Sequence, residues 1–337
     1  MKKNFLLNFS ILILLVLALV ADKNETVRIK IVASIGVEEI KAKGEDSYLF
    51  YTINSIDCDN EGNIYVLDKK ASCIKIFSKN GKFLRKILRE GQGPEEIRNP
   101  YRLAINRFTG NIFVLQEHGF QMKEFDVFGR FVKSYALPEQ FFHYFEFLEK
   151  DRIIYIAKKC YEEKTCSKFK ILNLNTLKIE KKFAPIQQPS IVYAYQRFII
   201  KEGILWTCPD DKMELVAYDM ITGKEEKSIL IKESYREYKI VRGPNWWAAR
   251  LFNFAQPLLI NRNIYILLTK QDFLSIGSPP ELKSKKLTLY RLEKDRLKRA
   301  RGLPEGDFMD LGTVWLNHII LYSWDPYPHI KVLEIND

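Results

Sequence analysis

The stretch Asp59-Asn60-Glu61-Gly62-Asn63-Ile64-Tyr65-Val66-Leu67-Asp68 decides the fold, because it comes back. Its second copy is Asn106-Arg107-Phe108-Thr109-Gly110-Asn111-Ile112-Phe113-Val114-Leu115-Gln116, with the shared Gly-Asn-Ile-aromatic-Val-Leu core 48 residues further on. A second landmark keeps the same offset. Ile74-Lys75-Ile76-Phe77-Ser78-Lys79-Asn80-Gly81-Lys82-Phe83-Leu84 corresponds to Met122-Lys123-Glu124-Phe125-Asp126-Val127-Phe128-Gly129-Arg130-Phe131-Val132, and Gly81 to Gly129 is again 48. Two independent landmarks at one spacing identify an internal repeat.

Weaker copies follow along the chain. Residues 150–156 pair with 169–176, 202–206 with 215–224, 261–267 with 287–292, and 316–322 with 330–335, which makes six copies in all. Each reads as short β-strands parted by Asn, Asp or Gly turns, with Gly62 and Gly81 where a hairpin needs positive φ. A 40–50-residue period of about four strands is the signature of a β-propeller. One blade cannot bury both of its faces, so the blades must stack in a ring. The sixth copy stops after three strands, whereas Thr26–Ile35 is a strand with no blade of its own. Donating it to the last blade as the outer edge closes the ring and removes an open edge. The expected architecture is all-β: one six-bladed β-propeller domain over residues 22–337, with four-stranded blades and a ring closed by the N-terminal strand.

Composition agrees. The chain has 337 residues, 47% hydrophobic and 28% charged, enough to bury a core. With 16 Gly and 13 Pro it is neither collagen-like nor of low complexity. Lys2 and Lys3 precede an eleven-residue apolar stretch, Ile11–Ala21, that Asp22 ends. This is the length of a signal-peptide core and short of the ~20 residues of a spanning helix. Residues 1–21 are therefore expected to be a signal peptide cut after Ala21, or else an uncleaved N-terminal anchor. No Cys at the boundary argues against a lipoprotein. The expected location is the periplasm, the cell envelope or outside the cell. Export removes two lysines from the formal charge of +11 and leaves +9. That charge is spread along strand edges, and nucleic acid is not an expected partner of an exported chain.

Gly91-Gln92-Gly93-Pro94-Glu95-Glu96 links the first two copies, and Asn99-Pro100-Tyr101-Arg102-Leu103-Ala104-Ile105 opens the second. With the landmarks above, this resembles the NHL-repeat-related bacterial six-bladed β-propeller proteins, whose hallmark is a Gly-x-Gly-Pro-Gly-Glu loop after the first blade. Glu95 stands where that family has its third Gly, and Ile97 where it has an aromatic residue. The likeness covers residues 53–135 and is pattern-level from 140 to 337. It implies a fold and export, and no activity, since one fold hosts many functions. The loop is not read as a phosphate cradle: no helix and no Lys-Ser/Thr follow, and Pro94 lacks a donor.

Antiparallel blades put the connections between blades, and between second and third strands, on one face. The long segments Glu90–Tyr101, Ala157–Lys168, Lys232–Phe254 and Thr269–Lys286 all fall there, opposite minimal turns. The channel mouth on that face is the expected site. Its candidate ligand-binding residues are Asp68, Gln116, Glu117 and His118 at second-strand ends, Trp206 with Cys208 in blade 4, and Arg98 and Arg102 at the entry to blade 2. Arg242, Trp246, Trp247 and Arg250 in the longest segment complete the set; paired Trp with nearby Arg can stack a sugar, a peptide or an aromatic ring. For Asp68 a turn-capping role is the competing reading, and for the two Trp, core packing. Among five cysteines, Cys160 and Cys166 flank a five-residue loop, so a hairpin disulfide is expected in an oxidising compartment. No catalytic motif occurs, and no cofactor or metal is expected. The leading function is a non-catalytic binding or scaffold module for a protein, peptide or glycan on the long-loop face. The alternative is a metal-dependent propeller hydrolase or lyase with its site at the channel axis, for which Asn106 and Asn253 are residues of a suitable type.

Overall fold

In a computed structural model of the chain, the described residues are 27–116, 119–139, 141–157, 166–186, 197–209, 213–231, 238–242, 247–251, 253–275, 281–303, 310–323 and 327–336. Among them are six four-stranded antiparallel sheets arranged as a six-bladed propeller. The innermost strands, in blade order, are Ile53–Cys58, Arg102–Ile105, Phe141–Glu149, Phe198–Lys201, Asn253–Ile260 and Asp310–Trp315. No described helix is long and apolar enough to cross a membrane.

The ring closes as the sequence requires. Arg28–Ile35 lies antiparallel to the last strand, His329–Asn336, as the outer edge of blade 6, with Arg28 opposite Asn336 and Ile35 opposite Ile330. Ile35 is fully buried in a cluster that also takes Ile53 and Phe77 from blade 1, so the donated strand joins the two chain ends. The other apolar clusters likewise bridge neighbouring blades: Tyr65, Ile74 and Ile105 between blades 1 and 2, and Tyr144, Phe169 and Phe198 between blades 3 and 4. The core is therefore the stack of blade faces, not any single sheet.

The repeated Gly62 sits at φ +85°, and a Cβ there would lie 2.6 Å from the ring of Trp315 in blade 6. The first turn of the repeat thus needs glycine twice, for its backbone and for the close approach of the neighbouring blade.

Two polar positions of the repeat pin the chain entering the first four blades. At the end of the second strand, the buried Asp68 carboxylate accepts from the amides of Tyr51 and Thr52, both at 2.9 Å. Gln116 receives the Arg98 amide through Oε1 at 3.3 Å, and the Thr207 hydroxyl donates to the Arg197 carbonyl at 3.1 Å. In the middle of the third strand, buried Lys75 donates to the carbonyls of Asp46 and Leu49, Lys123 to those of Gly93 and Glu96, and Lys170 to the Glu139 carboxylate. A lysine ammonium supplies three donors, which suits it to satisfy a crossing segment that lacks a ladder. Burial pushes the Lys75 and Lys123 ammonium groups below their usual range.

The Gly91–Glu96 loop is built by the same logic. The Glu96 carboxylate takes the Gly93 amide and pairs with Arg89, both at 2.9 Å, while Arg89–Glu90 and Glu96–Ile97 form a short parallel bridge. Its glutamate is consumed in clasping its own loop.

Two of the long segments differ from expectation. The second and third strands of blade 5 run as Asn263–Ser275 and Glu281–Glu293, 13 residues each, so most of residues 269–286 is a hairpin extension rather than loop. Within residues 232–254, Tyr238–Arg242 and Trp247–Leu251 pair as a separate two-stranded hairpin. Both runs carry β-branched or aromatic residues around a turn, and period-2 pairing extends wherever a partner strand is present.

Candidate functional site

Among the described residues, the sequence-derived candidates whose side chains are placed do not come together. Asp68 and Gln116 are the latches described above. Trp206 packs beside Cys208 and Ile266 in the blade 4–5 cluster. Arg98 is exposed on the crossing into blade 2. Glu117, His118 and Trp246 lie outside the described residues. Arg242, Trp247 and Arg250 are placed through their backbone only, in the hairpin between blades 4 and 5. Cys160 also lies outside, and Cys166 is known only as the first residue of its strand, so the proposed disulfide is beyond the described residues. Cys58, Cys73 and Cys208 are buried, and Cys58 and Cys73 are free thiols. Asn106 is buried, but its amide donates to the Lys150 carbonyl at 2.8 Å and its carbonyl caps Phe108, so it fastens a turn to blade 3 rather than reaching the axis.

Arg102 is the exception, because it belongs to a charged cluster on the inner strands. Its guanidinium lies 4.8 Å from the centroid of the Tyr144 ring, and that of Arg197 lies 5.2 Å from the same centroid. Tyr144, buried, donates its hydroxyl to Glu146 two residues along the same strand. Arg197 donates to the Leu311 and Gly312 carbonyls at 2.9 and 2.7 Å, which ties blade 4 to blade 6 across the ring. On the other side, Asp57 pairs with Arg107 at 3.3 Å and accepts from the Ile105 amide at 2.8 Å and the Thr313 hydroxyl at 3.3 Å. Five of the six blades thus meet through polar groups around the axis.

Arg107, Tyr144, Glu146, Arg197 and Thr313 of this cluster line a cavity of about 580 Å³. Its wall includes Arg107, Tyr144, Glu146, Arg197, Arg262 and Thr313, with Phe147, Ile199, Ile200, Leu259, Val314 and Leu316 as apolar surface. The volume is that of a small-molecule site. Arg107, Asn261, Arg262 and Leu316 belong to turns between first and second strands, so the cavity faces the short-turn side of the ring, opposite the long segments. Arg107 lines the cavity, and its side chain is 43% exposed.

Electrostatics set the character of the space. Three arginines (102, 107 and 197) face two carboxylates (Asp57 and Glu146), a formal excess of one positive charge. Burial, then the neighbouring Asp57, pushes Glu146 above the usual carboxylate range, with Arg107 and the Tyr144 hydroxyl opposing. The Asp57 carboxylate holds the Arg107 guanidinium more firmly protonated. Burial, reinforced by Arg102, pulls Arg197 down from its ordinary value. Burial also raises the Tyr144 phenol, which stays a donor. Among the described residues, no group of three or more His, Cys, Asp or Glu is disposed to hold a metal ion.

No signal in the repeat marks these residues. Asp57, Arg107, Glu146, Arg197 and Thr313 belong to five separate copies and occupy no common repeat position. The first strands and the residues next to them bring these side chains together.

Comparison with known proteins fixes the kinship. Residues 44–213 match the family described as Domain of unknown function (DUF4934). No curated protein sequence matches the chain. In architecture it is similar to a crystal structure of a member of the DUF4221 family from Bacteroides vulgatus ATCC 8482, with TM-score 0.64 and 12% identity over 93% of this chain and 99% of that one. It is also similar to the "Putative exported protein" of Bacteroides fragilis NCTC 9343, with TM-score 0.59 and 12% identity over 92% and 96% of the two chains. At that identity the likeness shows the propeller fold alone.

Proposed function

The chain belongs to the DUF4934 family, and for it we propose a role as an exported, non-catalytic binding propeller whose ligand occupies the axial cavity at the short-turn end. One observation carries this reading: a cavity of about 580 Å³ on the axis, walled by apolar side chains and an arginine-rich polar cluster contributed by several blades. Export is supported by the basic-then-apolar pattern of residues 1–21 and by the printed name of the Bacteroides fragilis protein of like fold.

The test is thermal stability of the protein from residue 22 onward against pools of small acids, sugars and peptides. A ligand at 100 times its Kd adds about 2.7 kcal/mol and shifts the melt visibly. The effect should vanish in Leu316→Trp, which narrows the mouth at an exposed turn. A hit retained in that variant would sink the axial assignment.

A second reading has its own support. The Tyr238–Leu251 hairpin belongs to no blade, and with the long blade 5 hairpin it lies on the opposite face. A protein, peptide or glycan partner there would use Arg242, Trp246, Trp247 and Arg250, and deleting residues 238–251 would abolish its capture.

A further inference from the structure

Resting on the axial reading, we infer that the cavity selects a ligand with an anionic head group and an apolar body, the anion held by Arg107 and Arg262 at the mouth. Four charged residues line the cavity, and three of them are arginines: Arg107, Arg197 and Arg262 against Glu146. They are not equally committed. Arg197 spends its guanidinium on the Leu311 and Gly312 carbonyls and on the Tyr144 ring, so it acts as a brace. Arg107 uses one terminal nitrogen on Asp57 and Nε on the Cys58 carbonyl at 3.4 Å, yet it lines the cavity with a side chain that stays substantially exposed. A guanidinium has five donors in a planar fork matched to carboxylate, sulfonate or phosphate oxygens. Arg262 stands exposed in the blade 5 turn on the same rim.

The one lining carboxylate does not cancel this field. Glu146 is engaged by the Tyr144 hydroxyl, and Asp57, behind Arg107, already accepts from two backbone amides, the Thr313 hydroxyl and Arg107. Asp57 fixes the orientation of Arg107 instead of competing for the space in front of it. Phe147, Ile199, Ile200, Leu259 and Val314, all half-buried, line the wall and leave apolar surface unfilled. A purely polar anion would leave that surface wet; an acyl or aryl carboxylate would cover it.

Calorimetric titration with two matched pairs, 2-naphthoate against 2-naphthamide and decanoate against decanamide, tests the inference. Each acid should bind at least tenfold more tightly than its amide. That preference should fall to near parity in Arg107→Gln and in Arg262→Gln, with circular dichroism confirming the fold; the exposed Arg262 variant keeps the test valid if Arg107→Gln unfolds. Equal affinity of acid and amide, lost in Leu316→Trp, would overturn anion selection while leaving the cavity as the binding site. Acid binding that survives Leu316→Trp, or no binding of any probe, would overturn both.

Discussion

Replacing Asp68 by Ala separates a structural latch from a ligand-binding residue. The carboxylate is fully buried and accepts from the Tyr51 and Thr52 amides at 2.9 Å, with the Ala71 amide at 3.3 Å as a weaker third. A hydrogen bond to a charged acceptor contributes about 1.5–3 kcal/mol, and an orphaned buried donor costs about 1–3 kcal/mol. Tyr51 is exposed, so water can recover part of its amide's loss, whereas Thr52 is less accessible. The expected cost is therefore about 2–4 kcal/mol. At about 2 °C per kcal/mol for a domain of this size, the melt should fall by roughly 4–8 °C. Asp68→Asn keeps one acceptor and should lose about half as much. The assay is thermal unfolding by circular dichroism, with ligand titration on the folded variant at 20 °C. A melt within 1 °C of the parent, or a folded variant with weakened binding, would refute the latch and restore Asp68 as a site residue.

Three further outcomes are expected. Deleting residues 27–35 strips blade 6 of its outer strand and exposes the pocket that Ile35 fills, so the melt should drop by more than 10 °C or the protein should aggregate; unchanged melting would contradict closure by the N-terminal strand. Gly62→Ala puts a methyl at φ +85° and within 2.6 Å of Trp315, and should cost about 2–3 kcal/mol in urea unfolding; a neutral result would mean the blade 1–6 contact yields easily. Glu146 has a raised pKa in the folded state, so its contribution is fully present below the ordinary glutamate value and is lost as pH rises through the folded one. Glu146 faces Asp57, Arg102, Arg107 and Tyr144. Glu146→Gln should therefore stabilise the protein relative to the parent at pH 8 and lose that advantage at pH 4; the opposite trend would show a carboxylate held ionised by its arginines.

The fold was legible because its landmarks are local. Gly62-Asn63-Ile64-Tyr65-Val66-Leu67 and its copy encode a turn and a strand in adjacent residues, and hydrophobic periodicity carried the count to six blades. The donated strand followed from arithmetic, three strands at one end and a lone strand at the other. The structure explains the Gly91–Glu96 loop as a clasp through Glu96 and Arg89, a local contact that speaks to the loop and not to an NHL-repeat kinship. The site was not legible in the same way. Asp57, Arg107, Glu146, Arg197 and Thr313 are far apart in sequence, and each sits in the most divergent strand of its repeat or beside it. Loop length pointed to the opposite face, but residues 269–275 and 281–286 are strand, because the blade 5 hairpin continues to pair. Asp68 with Gln116, read from sequence as second-strand ends with turn-capping as the alternative for Asp68, and Lys75 with Lys123 and Lys170 recur at fixed places in the repeat. A polar residue that recurs at one repeat position serves the repeat, as these latches do.

Hydrogen–deuterium exchange of the protein with and without a saturating ligand tests the central claim most directly. The account predicts slowed exchange in residues 144–147, 197–200, 257–262 and 313–316, the segments that line the axial cavity. Protection confined to residues 238–251 and 269–286, with the axial segments unchanged, would contradict it and move the site to the opposite face.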